Sequence, residues 1–157
     1  MVRLADLPEW EREHLLEKGR EAPRFTSRPW VRGTALGKRR VAIVTTSGVH
    51  PRGDRPFALI PGTDYRVIPG DTRADELVMS HISVNFDRSG FQEDVNVVFP
   101  IDRLKELVRE GAIGSVADFH YAFMGAAWPP TRFEPKAREL AVLLKRDRVD
   151  AVLLTPV

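Results

Sequence analysis

Four histidines, several serines and scattered carboxylates carry whatever chemistry this chain has, and cysteine is absent. That absence excludes disulfides, thiolate catalysis and Cys-ligated metal within these residues. Gly48-Val49-His50-Pro51-Arg52-Gly53-Asp54 follows an apolar run and has the glycine content of a phosphate loop. It lacks the Lys-Ser/Thr ending, and no helical pattern follows to present a positive N-terminus. The stretch therefore reads as a bent loop over a sheet edge, where His50 and Arg52 are candidates to face a ligand. His81 ends a second apolar run, beside Ser80 and close to Ser83. No G-x-S-x-G elbow accompanies it, and adjacency in sequence does not aim a nucleophile at a base. His120 and Tyr121 lie in an aromatic cluster with Phe119 and Phe123. No histidine belongs to an HExxH or His-x-His pattern, so no metal site is expected. A histidine beside apolar residues is more often a satisfied structural group than a ligand. Glu93 and Asp94 have the types of an acid/base pair, but nothing nearby would desolvate one of them and raise its pKa. Phe119, Tyr121, Phe123 and Trp128 either line an organic pocket or cover the sheet.

The elements that must position these residues alternate between strand and helix patterns. Asp6, Pro8 and Glu9 start a helix that Gly19 closes. Arg20 to Lys38 reads as an extended lead-in anchored by Trp30. Arg40 to Thr46 is a β-branched strand, and Gly48 to Pro61 is a loop. Asp64 to Ile68 is a short strand, a short helix starts near Arg73, and Leu77 to Ile82 is a further apolar run. Asn85 to Asp94 suits a surface loop. Ile101 to Glu110 is the cleanest helix, with Ile101, Leu104, Leu107 and Val108 on one face and Gly111 as its stop. Ala112 to Val116 is brief strand or turn, and Phe119 to Gly125 is an aromatic cluster ending in a hinge. A helix from Phe133 to Lys145 leads into Val149 to Val157, an apolar run of the kind that forms a fully buried parallel strand. This order predicts a small three-layer α/β fold: a mostly parallel sheet with helices on both faces, its last strand beside its first. Residues 1–38 form an N-terminal helix and lead-in, and residues 39–157 the α/β domain. The sheet reads as incomplete at its C-terminal end, because ligands bind beyond the carboxyl ends of such strands.

Composition agrees with one globular domain: 157 residues, 43% hydrophobic and 29% charged. Lys+Arg 24 against Asp+Glu 22 are interspersed, which argues against a nucleic-acid face. No apolar run approaches a membrane span, and the first residues lack a signal-peptide core, so a cytoplasmic location is expected.

Several blocks go further than periodicity. Tyr65-Arg66-Val67-Ile68-Pro69 and Asp94-Val95-Asn96-Val97-Val98-Phe99-Pro100-Ile101-Asp102-Arg103-Leu104 resemble the selenoprotein B family of glycine, betaine, sarcosine and D-proline reductases. So do Gly111 to Ala117, Phe119 to Gly125 and Val149 to Pro156, in the same order. The resemblance covers roughly residues 38 to 157. It implies a redox-active selenocysteine, or cysteine, immediately after the strand matching Asp150 to Thr155, one residue past Val157. That nucleophile attacks carbon and expels an amine from a small amine or amino acid, and thiol–selenol exchange returns the electrons. The resemblance also implies other reductase subunits and a thioredoxin-like electron donor. The expectation is an N-terminal part of such a subunit, ended at a UGA codon read as stop and inactive by itself, with no cofactor in these residues. From the topology, and not from the resemblance, the candidates for its pocket wall are His50, Arg52, His81, His120 and Tyr121. The alternatives are a noncatalytic α/β binding or interaction module, and an enzyme using its histidines without redox chemistry.

Overall fold

The computed structural model describes residues 3–24, 26, 31–58, 62–83 and 88–157. Helix α1 (Glu9–Glu21) buries none of its side chains, and Trp10 on it is 72% exposed. Strand β1 (Arg40–Thr45) is the centre of the sheet, with Ala42, Ile43 and Thr45 fully buried. Its β-branched residues fit a pleated surface packed on both faces. Through Gly48, the chain turns into β2 (Val49–Pro51), which pairs antiparallel with β4 (Leu77–Met79) as a separate ribbon. Between them runs β3 (Tyr65–Pro69). The short helix α2 (Ser89–Glu93) and a 3-10 turn lead into α3 (Ile101–Arg109). Asn96 holds the start of α3: its Oδ1 accepts the Asp102 N–H (3.0 Å), and its Nδ2 donates to the Asp102 carboxylate (3.1 Å). Then follow β5 (Ser115–Val116), β6 (Phe119–Phe123), α4 (Glu134–Arg146) and β7 (Ala151–Thr155).

β1 pairs parallel with β7 along its length, from Val41 opposite Ala151 to Thr45 opposite Thr155. Its other side pairs parallel with β5 at Arg40 and Val41, then with β6 at Val44 and Thr45. β3 runs antiparallel to β6 at the far edge. The last strand thus lies beside the first. Helices cover both faces: α3 packs Ile101 and Leu104 with Val41, Ile43, Ile68 and Ala122, and α4 packs Leu140 with Val44, Tyr121 and Phe123. This is the mostly parallel α/β architecture that the alternating pattern predicts.

Four readings change. Phe119 to Phe123, expected as a cluster and hinge, is an interior strand. Its side chains alternate between the α3 face (His120, Ala122) and the α4 face (Tyr121, Phe123), as strand geometry requires. The run expected to be fully buried, β7, is an edge: Val152, Leu153 and Leu154 are 39%, 37% and 68% exposed. An apolar run reports that both faces are apolar, not that anything covers them. Val49 to Pro51, expected inside a loop, pairs as β2, and the 85–94 loop contains α2. Trp30 and residues 59–61 and 84–87 lie outside the described residues.

Candidate functional site

The three parallel strands β1, β6 and β7 release their carboxyl ends at one edge, and their tails are tied together there. Thr46 Oγ1 accepts the Val157 N–H at 2.8 Å and lies 3.3 Å from the Val157 carbonyl. Thr46 N–H donates to the Thr155 carbonyl (3.2 Å), and Gly125 N–H to the Thr46 carbonyl (2.9 Å). A Cβ on Gly125 would sit 2.9 Å from the Thr46 carbonyl oxygen and 3.0 Å from that of Val157. Only glycine lets the β6 tail approach so closely.

Beside these tails opens a crevice of about 290 Å3, walled by Lys18, His81, Ser83, Gly125, Ala127, Trp128 and Val157 among others. Its position outside the carboxyl ends of parallel strands is where open α/β sheets bind ligands. Gly48, with φ +69°, brings the β1–β2 turn against His81: a Cβ there would meet the His81 backbone nitrogen at 3.1 Å. Arg88 holds the other side of this segment by donating to the His81 and Ser83 carbonyls. His81 Nδ1 accepts the Ser83 N–H (3.2 Å), so the neutral ring carries its proton on Nε2. Burial, reinforced by the Arg88 charge, pushes His81 below the ordinary histidine range and keeps the ring neutral at pH 7. Trp128 closes the far wall, with its indole N–H donating to Glu21 of α1 at 3.0 Å.

His50 stands one layer behind. Its Nδ1–H donates to the Pro51 carbonyl (2.9 Å), which leaves Nε2 to accept the Ser80 hydroxyl at 2.7 Å. The ring is 2% exposed, so it acts on the crevice only by fixing Ser80 next to His81. Arg52 is elsewhere: its amide bonds the Glu76 carbonyl and its guanidinium the Asp75 carbonyl, at the outer end of the β2–β4 ribbon. His120 and Tyr121 point to opposite faces of β6, both buried. His120 is fully enclosed against Phe99, and its Nδ1 accepts the Ile43 N–H at 2.9 Å. Tyr121 packs under α4 beside Tyr65. Of the five residues expected to line a pocket, the fold brings His81 to the crevice with His50 behind it, and sends the other three away. Trp128, one of the aromatics expected either to line a pocket or to cover the sheet, stands in the crevice wall, whereas Gly125 and Val157 were not singled out. A glycine directly after an aromatic alternation was the available signal. Among the described residues, no group of three or more His, Cys, Asp or Glu could hold a metal ion.

Fold and crevice together define an α/β domain with a crevice at the carboxyl edge of its parallel strands. The family model described as glycine/sarcosine/betaine reductase selenoprotein B matches residues 23–157, and the chain belongs to that family. It is 40% identical over 116 residues to the D-proline reductase subunit gamma of Acetoanaerobium sticklandii, covering 73% of this chain and 47% of that protein. It is 34% identical over 125 residues to the glycine reductase complex component B subunit gamma of Symbiobacterium thermophilum, covering 76% and 29%. To the betaine reductase complex component B subunit beta of Peptoclostridium acidaminophilum it is 32% identical over 124 residues, covering 76% and 28%. The chain thus spans about half the length of the first of these relatives and under a third of the other two. No solved structure matches. No helix among the described residues is long and apolar enough to cross a membrane.

Proposed function

We propose that this chain provides the crevice wall of a selenoprotein B-type reductase that cleaves a C–N bond of a small amine or amino acid. The observation that carries this reading is the crevice beside Val157, at the joined ends of β1, β6 and β7, within a chain that matches the family over residues 23–157. These residues contain no cysteine, so the selenol or thiol must come from outside them, on the same polypeptide or on a partner subunit. Such a group would supply an anionic nucleophile for net reduction of C–N to C–H with loss of the amine. The selenol or thiol would end oxidised, paired with a second thiol, and a thioredoxin-class dithiol would restore it with two electrons.

The chain's own side chains bind and orient. A substrate nitrogen that already carries its positive charge leaves as a neutral amine when the C–N electron pair moves onto it, so no strong acid is needed. His81, neutral and with its ring Nε2 buried, shapes the crevice wall and is poorly placed to protonate a leaving group. Lys18 offers a cation to a carboxylate, and Trp128 an aromatic wall.

The test is C–N cleavage with a dithiol reductant, read as amine release from glycine, betaine and sarcosine and as ring opening of D-proline to a linear amino acid. It is run first with the chain alone and then after reconstitution with the selenol- or thiol-bearing component. The expected outcome is no turnover alone and turnover on reconstitution, with His81→Ala lowering kcat/KM by about tenfold or more. Turnover that persists unchanged in His81→Ala and Trp128→Ala sinks the crevice assignment. A second reading, a noncatalytic interaction module, draws on the exposed apolar residues of β7; it predicts a stable complex that never releases amine.

A further inference from the structure

Arg66 is a charged side chain that the crevice does not use. Its side chain is 7% exposed, on the α3 face of β3 beside Ile68. Nε donates to the Arg55 carbonyl (3.0 Å), Nη1 to the Tyr65 carbonyl (3.1 Å) and Nη2 to the Pro56 carbonyl (3.1 Å). The guanidinium lies 4.4 Å from the centre of the Phe57 ring. Carbonyls, an aromatic face and a long ion pair with Asp54 fix its position, and the group has donors to spare. The nearest carboxylate, Asp54, is 3.9 Å away and 38% exposed. A buried guanidinium with free donors favours an anion that can meet its planar fork.

Arg66 lines a cavity of about 240 Å3 with Arg55, Phe57, Asp64 and Met124. Asp64 forms only a loose pair with Arg55, at 3.4 Å, and both are exposed. The cavity therefore sets a fixed buried cation against an accessible carboxylate, with Phe57 and Met124 as apolar wall. It lies beside the start of β3, which pairs with the end of β6, so Met124 faces this cavity while Gly125, the next residue, faces the crevice.

We propose that the Arg66 cavity is a second binding site, for a small ammonio-carboxylate: carboxylate on Arg66, cationic nitrogen toward Asp64, hydrocarbon against Phe57 and Met124. The site stands on the cavity's own charges. Only the choice of betaine as probe rests on the reductase reading.

The chain has three methionines, Met1, Met79 and Met124, and only Met124 lines the cavity. With 13C-methyl methionine, titration with betaine is expected to shift the Met124 methyl saturably, while the Trp128 indole signal reports the crevice separately. Arg66→Lys, which keeps a charge but loses the planar fork, should weaken binding at least tenfold. Asp64→Asn, at an exposed position that leaves the fold intact, should weaken betaine and leave acetate unchanged. A Met124 signal that betaine does not move, or one equally responsive in Arg66→Lys and Asp64→Asn, overturns the proposal. A response confined to Trp128 does so as well, while leaving the reductase reading in place. A silent Met124 in a reconstituted complex that releases amine would likewise remove this site alone.

Discussion

His120 illustrates how a residue can look functional and serve the fold. The Ile43 N–H points to the side of β1 where the chain passes from β5 to β6, and there the ladder is broken between Val116 and Phe119. His120 Nδ1 fills the gap as acceptor. Burial pushes His120 down to about 4 from 6.5, so the folded state holds the ring neutral while the unfolded chain protonates near its ordinary value. The sign follows from linkage. The contribution is fully present above pH 6.5 and is lost as pH falls toward about 4, up to about 3 kcal/mol. Urea unfolding at a series of pH values between 7.5 and 4.5 should show this loss. In His120→Asn, whose amide oxygen can replace Nδ1, the pH slope should shrink while the fold persists. His120→Leu should cost about 1–3 kcal/mol at pH 7.5, by orphaning a buried amide. An unchanged slope in His120→Asn would assign the pH dependence to other groups, His81 first among them.

At the scale of elements, the break between β5 and β6 is held from outside the strand by α4. Asp147, at the end of that helix, accepts the Asp118 and Phe119 amides at 2.8 and 3.2 Å and pairs with Arg40 at 2.6 Å. Arg40 in turn donates to the Val116 carbonyl (2.8 Å). One carboxylate thus ties the start of β1, the strand break and the end of α4. Burial alone would raise the Asp147 carboxyl, yet the Arg40 guanidinium and the two amides hold it below the ordinary carboxylate range. Asp147→Ala should destabilise by about 1–3 kcal/mol in denaturant titration, because it orphans two amides and leaves Arg40 only the exposed Asp118 carboxylate (2.8 Å) and the Val116 carbonyl. Arg40→Met combined with Asp147→Ala should cost less than the sum of the single changes; strict additivity would mean the pair is not coupled. None of this was legible in the sequence, where Arg40 and Asp147 are unremarkable charges more than a hundred positions apart. What could be read was local: the β-branched β1, the one-sided α3, and the helix running into β7. β6 escaped because it is buried on both faces, His120 and Ala122 toward α3 and Tyr121 and Phe123 toward α4, which erases the polar/apolar alternation that marks a half-buried strand. The crevice was legible only as a rule of topology, since its wall is assembled from α1, the β4 tail and the ends of β6 and β7. His81, which closes an apolar run, stands in the crevice wall, whereas the turn that carries Arg52 points it down the ribbon, away from the crevice.

At the scale of the whole molecule, the unusual surface is the β7 edge. Val152 and Leu154 face the α4 side, where with Val44, Phe123, Phe133, Ala137, Leu140, Ala141 and Leu144 they line an apolar groove of about 380 Å3. Leu153 is exposed on the opposite face. Among the described residues only one side of β7 is paired, with β1, so its outer edge offers backbone donors and acceptors together with apolar side chains on both faces. Charged side chains and covering loops are the usual protection of such an edge, and the run Ala151-Val152-Leu153-Leu154 carries no charge. A second copy can satisfy that edge by pairing along it and laying its own Leu154 into the groove. The chain is therefore expected to self-associate as its concentration rises, with a midpoint that Leu154→Lys shifts at least tenfold upward. Leu154 is 68% exposed, so the substitution removes little buried surface and should leave the melting temperature nearly unchanged. Sedimentation velocity over a concentration series separates the possibilities. A wild-type chain that stays monomeric throughout, or a Leu154→Lys chain that associates equally well, would show that the strand edge is not the adhesive surface. Association lost in Leu154→Lys but kept in Leu153→Lys would place the contact in the α4 groove. Loss in both would place it on the edge itself.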